Sequence, residues 1–153
     1  VQSIIQFHAV LVHFPIALLI AGFICEVISL FNKHTFFNSL GLFFLLAGVV
    51  GIGAARLSGL YIYNNINPQG SLKKIVEEHH KTAFYSLCIL TITAILRIIL
   101  SILKKYFGFY KYLTLTLFLC GLLSFIYLGI TGSKMMSGKS APYQNATSNQ
   151  LNR

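Results

Sequence analysis

Long apolar runs separated by short polar breaks dominate the chain. Four runs stand out, from about Val10 to Phe31, Phe36 to Tyr63, Ala83 to Leu103 and Tyr112 to Gly132. Each is close to or above the ~20 apolar residues a helix needs to cross a bilayer. A barrel strand would be about half as long and would alternate in polarity, which these runs do not do. The pattern predicts an all-α protein, an integral membrane four-helix bundle over residues 1–138. Residues 139–153, rich in Ser, Asn, Gln and Gly, read as a polar flexible tail or linker.

Smaller signals refine these elements. Pro15 suits the first turn of a helix, so the regular helix is expected to begin near His13, or to kink there. Ala47, Gly51, Ala55 and Gly59 form an i, i+4 stripe of small residues, which lets helix backbones approach closely in lipid. Tyr61, Tyr63, Tyr106, Phe107, Phe109, Tyr110 and Tyr112 gather at the run ends as an interfacial belt. The start at Val1 points to a trimmed chain or an excised module. No basic segment precedes the first run and no small-residue cleavage site follows it, so it is expected to be a retained helix and not a signal peptide.

Composition changes the meaning of the charge. Hydrophobic residues make up 56% and charged residues 10% of the 153 positions, against about 25% charge in a soluble domain. There is too little polar surface to cover a water-exposed globule. The net charge of +9 lies in short clusters between the runs, as topology signals do. No basic face exists for phosphate contacts, so nucleic acid is not an expected partner; the lipid bilayer is.

Four crossings put both termini on one side, side A. The short side B loops carry Lys33, Lys104, Lys105 and Lys111. Side A has more basic residues in total, spread over a longer stretch. Density in short loops makes side B cytoplasmic and both termini periplasmic, in a bacterial inner membrane.

Chemistry has few candidates. Cys25, Cys88 and Cys120 each lie inside an apolar run, with no CxxC spacing, and are read as core residues. Neither a nucleophile–base set, a phosphate loop nor an HExxH motif is present, so nothing in the sequence marks an enzyme. Glu77 and Glu78 balance Lys73, Lys74 and Lys81. Glu26 and Arg97 fall inside runs at similar depth, and pairing would lower the cost of placing either in lipid. That pair reads as structural registration; a proton path, with Thr91 and Thr93 as thin support, is the alternative.

Side A gathers His8, His13, His79, His80, Arg56, Ser133 and Lys134. Ionisable groups in such places often mark a functional site. His8 and His13 are about 140° apart on a continuous helix, so a pair drawn from two helices, His13 with His79, is simpler. Two imidazoles can ligate a b-type haem without a covalent tether, or hold copper or zinc. Arg56 would neutralise a haem propionate. Interfacial histidines with a purely structural role remain the plain alternative.

The segment His8-Ala9-Val10-Leu11-Val12-His13-Phe14-Pro15-Ile16-Ala17-Leu18 resembles the start of a bacterial membrane family catalogued as domain of unknown function 2231. That family begins with His, four residues, then His-Phe-Pro and an apolar helix. The resemblance extends to about Gly138, through a small-residue second helix, a His opening the third and a Thr-Gly near the end of the fourth. It implies that the family's histidines fall on His8, His13 and His79, with Ala83 as the small residue that follows, and that its Thr-Gly falls on Thr131-Gly132. Where members continue with a His and a Gly-Gly pair, this chain continues Ser133-Lys134-Met135-Met136, so that His is missing here.

Members resemble membrane modules joined to periplasmic cytochrome c or iron–sulfur domains. The resemblance therefore implies electron transfer on side A, with a periplasmic cytochrome or other redox protein as partner. Two other readings stand beside it. One is a non-catalytic anchor or assembly subunit of a larger envelope complex, packing through its small-residue stripe as an oligomer or with other chains. The other is a small transporter or metal carrier, which lacks support from any inverted repeat or helix broken near the midplane.

Overall fold

A computed structural model describes the backbone of residues 2–31, 35–66 and 70–136, and side chains within residues 11–31, 35–61, 63–64 and 73–132. The expected tail, His34, Lys33 and the side chains of His8, Ser133 and Lys134 lie outside the described residues. Among the described residues there are four helices: α1 (Gln2–Phe31), α2 (Thr35–Ile66), α3 (Gly70–Ile102) and α4 (Phe109–Met136). All four are long and apolar enough to cross a membrane. The chain is an all-α integral membrane four-helix bundle, as the apolar runs predicted.

Each helix outruns its apolar segment. The regular α1 begins at Gln2, not near His13, and continues through Pro15. Proline forgoes one intrahelical hydrogen bond there. The buried ring is used instead as a packing knob, since a Cβ at Gly51 of α2 would stand 2.6 Å from Pro15 Cγ. At α3 the helix starts well before Ala83. The polar stretch between is helical because its charges pair along one turn, Lys73 with Glu77 at 3.9 Å and Lys81 with Glu78 at 3.2 Å.

Helices α1 and α3 each pack on α2 and α4, so they occupy opposite corners. Contacts fall in antiparallel order. Gly51, Gly48 and Gly41 of α2 meet Pro15, Leu19 and Glu26 of α1; Gly132 and Gly121 of α4 meet His79 and Leu90 of α3. The buried centre contains Leu19, Leu45, Ile52, Leu90, Phe118 and Phe125. Phe23 and Phe118 join α1 to α4 edge to face at 5.7 Å. One polar pair crosses this middle layer, the hydroxyls of Ser86 and Ser124 at 2.6 Å.

The small-residue stripe works, but along a different line. Residues four apart drift about 40° per step around a helix. Of the expected stripe, Gly51 and Ala55 lie in the close line. Gly41 and Gly48 complete it, because steps of seven, three and four stay on one face. The partner brought close is the chain's own α1.

Candidate functional site

Two polar clusters sit at opposite ends of the bundle. The side B cluster centres on Arg97, 2% exposed, and Glu26, 3% exposed. Arg97 Nη2 and Nε donate to Glu26 Oε1 at 2.6 and 3.0 Å. Nη2 also faces the carbonyl and Oδ1 of Asn38 at 2.8 and 3.0 Å, and Nη1 donates to Ser101 Oγ at 3.2 Å. The other carboxylate oxygen, Oε2, accepts from Tyr106 at 2.8 Å. Arg97 Cζ lies 3.5 Å from the centre of the Tyr106 ring, and Thr114 Oγ1 is 3.3 Å from the phenol oxygen. Lys111 Nζ closes the last turn of α1 by donating to the Ser29 carbonyl at 2.6 Å.

This cluster joins all four helices and the α3–α4 loop. Gly41 makes room for it, since a Cβ there would lie 2.6 Å from Glu26 Oε1. The predicted pair is therefore real geometry, and its neighbours were not foreseen. Tyr106 read as part of the aromatic belt; it turns inward, whereas Phe107, Phe109, Tyr110 and Tyr112 are exposed. The cause is the loop. Lys105 N–H donates to the Leu100 carbonyl at 2.9 Å and Lys104 N–H to the Ser101 carbonyl at 3.1 Å, with Lys104 left-handed at φ 54°. That is a Schellman end, and it folds the next residues back over the ion pair. Burial raises the Tyr106 phenol well above its ordinary pKa, helped by the adjacent Glu26 carboxylate.

The side A cluster holds the residues singled out for chemistry. His79 and His80 are half-buried on α3, their ring centres 6.3 Å apart. His80 meets the Tyr63 ring edge-on at 5.4 Å, and its carbonyl accepts from Arg56 Nη1 at 3.1 Å. Arg56 also lies over Phe84, 4.9 Å from the ring centre. Tyr63 donates to Glu77 at 3.3 Å. His79 turns the other way, to α4: a Cβ on Gly132 would stand 3.2 Å from its Cε1. The imidazole is seated where α4 has no side chain.

The His13 side chain is exposed. Pro15 meets α2 at Gly51 and Ile16 meets α4 at Gly129. At about 100° per residue, position 13 lies about 60° beyond Ile16, on the α4 flank of α1. Antiparallel order sets it level with Gly132. His13 and His79 thus flank the same end of α4, from α1 and from α3. Because α1 is helical through positions 8 and 13, those two positions do not share a face. Among the described residues, no three His, Cys, Asp or Glu side chains are grouped to hold a metal ion.

Arg56, His79, His80 and Gly132 are brought together at side A. Tyr63 and Glu77 join them without having been foreseen as site residues; the sequence marked the first as a belt aromatic and the second as a partner of the nearby lysines. Neither a curated protein nor a solved structure matches the chain. A family model described as "Predicted membrane protein (DUF2231)" matches residues 5–149. With four membrane-spanning helices and that match over nearly its whole length, the chain belongs to the DUF2231 family of predicted membrane proteins.

Proposed function

We propose that this chain is a membrane electron-transfer module whose working end is side A. The observation that carries the reading is the seating of His79 against Gly132; helix periodicity carried back from Ile16 would set position 13 at about the same level on α1. Two pieces of the family motif, far apart in sequence, meet there. The donor set fits a b-type haem in kind. His79 and His13 are the first ligand candidates, with His80 and His8 as alternates, and the Gly132 cradle gives the His79 ring room that a side chain would fill. His13 and His79 are equally the candidates for a copper or zinc ion.

A bound haem would supply one-electron transfer. The chain's own residues do the rest. Arg56 places a fixed cation beside His80, suited to a propionate, and is itself held by the α3 backbone and Phe84. Side A would face the periplasm, where a cytochrome or another redox protein would be the partner. The test is an absorbance spectrum of the detergent-purified protein expressed with ample haem, before and after dithionite. A reduced α-band lost in His79→Ala and His13→Ala supports the reading, and a featureless spectrum sinks it.

A non-catalytic anchor or assembly subunit is the second reading. It is favoured by the side B cluster, in which Glu26 and Arg97 pair with each other and with Asn38 and Tyr106 and so tie the helices together. On that reading His13→Ala and His79→Ala leave assembly of the envelope complex intact. Any interface would lie outside the Gly41–Ala55 line, which α1 already occupies.

A further inference from the structure

At the opposite end from the proposed redox site, the α3–α4 loop sorts its residues into two sets. Tyr106 and Lys111 turn into the bundle, the first to Glu26 and the second to the Ser29 carbonyl. Lys104 and Lys105 point outward and are exposed. Lys104 occupies the left-handed position of the Schellman turn, a conformation glycine adopts without strain and lysine does not. Phe107 and Phe109, 67% and 75% exposed, and the exposed Tyr110 and Tyr112 follow them in the loop and the first turn of α4.

Exposed aromatic rings beside lysines at the end of a membrane span belong at headgroup depth. The loop cannot readily swing away, because Tyr106 and Lys111 pin it from inside. Gly108, with φ 53°, accepts at its carbonyl from the Lys111 and Tyr112 amides and so starts α4 at once. Two positive charges are thereby held on a short turn directly after the end of α3, where a membrane span of this length would meet the headgroups. We propose that Lys104 and Lys105 form a binding site for the phosphate of an anionic phospholipid in the side B leaflet, with Phe107, Phe109 and Tyr112 at the same headgroup depth.

The charge complementarity gives the occupant. A zwitterionic lipid offers its phosphate together with a cation that two lysines repel, whereas phosphatidylglycerol offers a net negative headgroup. Lysines near such a surface each add attraction, and losing both should weaken binding roughly 30-fold.

The experiment uses the full chain in a neutral detergent. Thermal unfolding is followed while phosphatidylglycerol, phosphatidylcholine or inorganic phosphate is titrated in, for wild type and for Lys104→Gln with Lys105→Gln. The proposal expects phosphatidylglycerol alone to raise the midpoint, and the double variant to need far more of it. Native mass spectrometry of the wild type gives a second readout should the variant not fold: bound phosphatidylglycerol should persist where phosphatidylcholine is stripped, and fall as salt rises. An equal shift with both lipids, an unchanged response in the variant, or competition by inorganic phosphate at lipid-like concentrations would each overturn it.

Discussion

Glu26 and Arg97 stand 71 residues apart in the chain and meet at 2.6 Å, both almost completely buried. Neither charge is tolerable alone at that depth. Removing one partner leaves the other uncompensated, which costs about 3–5 kcal/mol. Arg97→Ala and Glu26→Ala should each lower stability on that scale. The combined Glu26→Leu, Arg97→Met variant should lose much less than the two single losses together. Unfolding in detergent for a double-mutant cycle built on this pair would show it, and simple additivity would mean that the pair is not coupled.

Helix approach between α1 and α2 gives an internally controlled comparison. A Cβ on Gly51 would press on the rigid Pro15 ring at 2.6 Å, while a Cβ on Gly53 would meet nothing within 4 Å. Gly51→Ala should destabilise by about 1–3 kcal/mol through overpacking. Gly53→Ala should be neutral or stabilise by up to about 1 kcal/mol, because alanine loses less backbone freedom in a helix. Thermal midpoints of the two variants, measured side by side, check the order.

The two left-handed residues of the α3–α4 loop should respond in opposite directions. Lys104→Gly relieves the cost of placing a side chain at φ 54°, and Gly108→Ala imposes it at φ 53°. Each change is worth roughly 1 kcal/mol. Measured in neutral detergent without lipid, Lys104→Gly should raise the unfolding midpoint and Gly108→Ala lower it. Equal effects of one sign would mean that the loop relaxes elsewhere.

Tyr106 ties stability to alkaline pH. Its phenol is raised above the ordinary value of 10.0 by burial and the Glu26 carboxylate. An acid whose folded pKa is raised binds its proton more tightly when folded. Its contribution is therefore complete below about pH 10 and is lost as pH climbs towards the folded value. Stability of the wild type should fall above pH 10 by more than that of Tyr106→Phe. At neutral pH Tyr106→Phe should already cost about 1.5–3 kcal/mol, the worth of a hydrogen bond to a charged group. Parallel pH curves for the two proteins would contradict this origin.

The seat of His79 can be probed from α4. Gly132→Ala asks the ring to give by a few tenths of an ångström, since the added Cβ would lie 3.2 Å from Cε1; Gly132→Leu asks it to leave. If side A holds haem, the alanine variant should keep most of the reduced α-band and the leucine variant should lose it. Retention by both would place the ligand on another histidine.

Much of the fold was legible because lipid imposes simple rules. A backbone crossing a bilayer must satisfy its own hydrogen bonds, so apolar runs of sufficient length are helices. A carboxylate and a guanidinium at equal depth must pair, which identified Glu26 and Arg97 before any contact was known. The gathering of His13, His79, His80 and Arg56 at one end followed from counting crossings. Where the sequence misled, it was read on too short a scale. The third run was read from about Ala83, with the histidines at its opening, yet α3 begins at Gly70, where ion pairs among residues 73–81 support its polar first turns.

Chain length, apolar spacing and the His-Phe-Pro start thus determined four membrane helices, their alternating direction and the family. Those properties depend on local composition and on the solvent, which the sequence carries in full. Only the tertiary structure decided which faces meet. Small residues at four-residue spacing and at mixed three- and four-residue spacing look alike on paper, but only the second stays under a neighbouring helix. Tyr106 and Phe107 are adjacent aromatics at a membrane end, and one closes over an ion pair while the other faces outward. The handed turn at Lys104 sets that difference, because a single left-handed residue redirects every side chain after it.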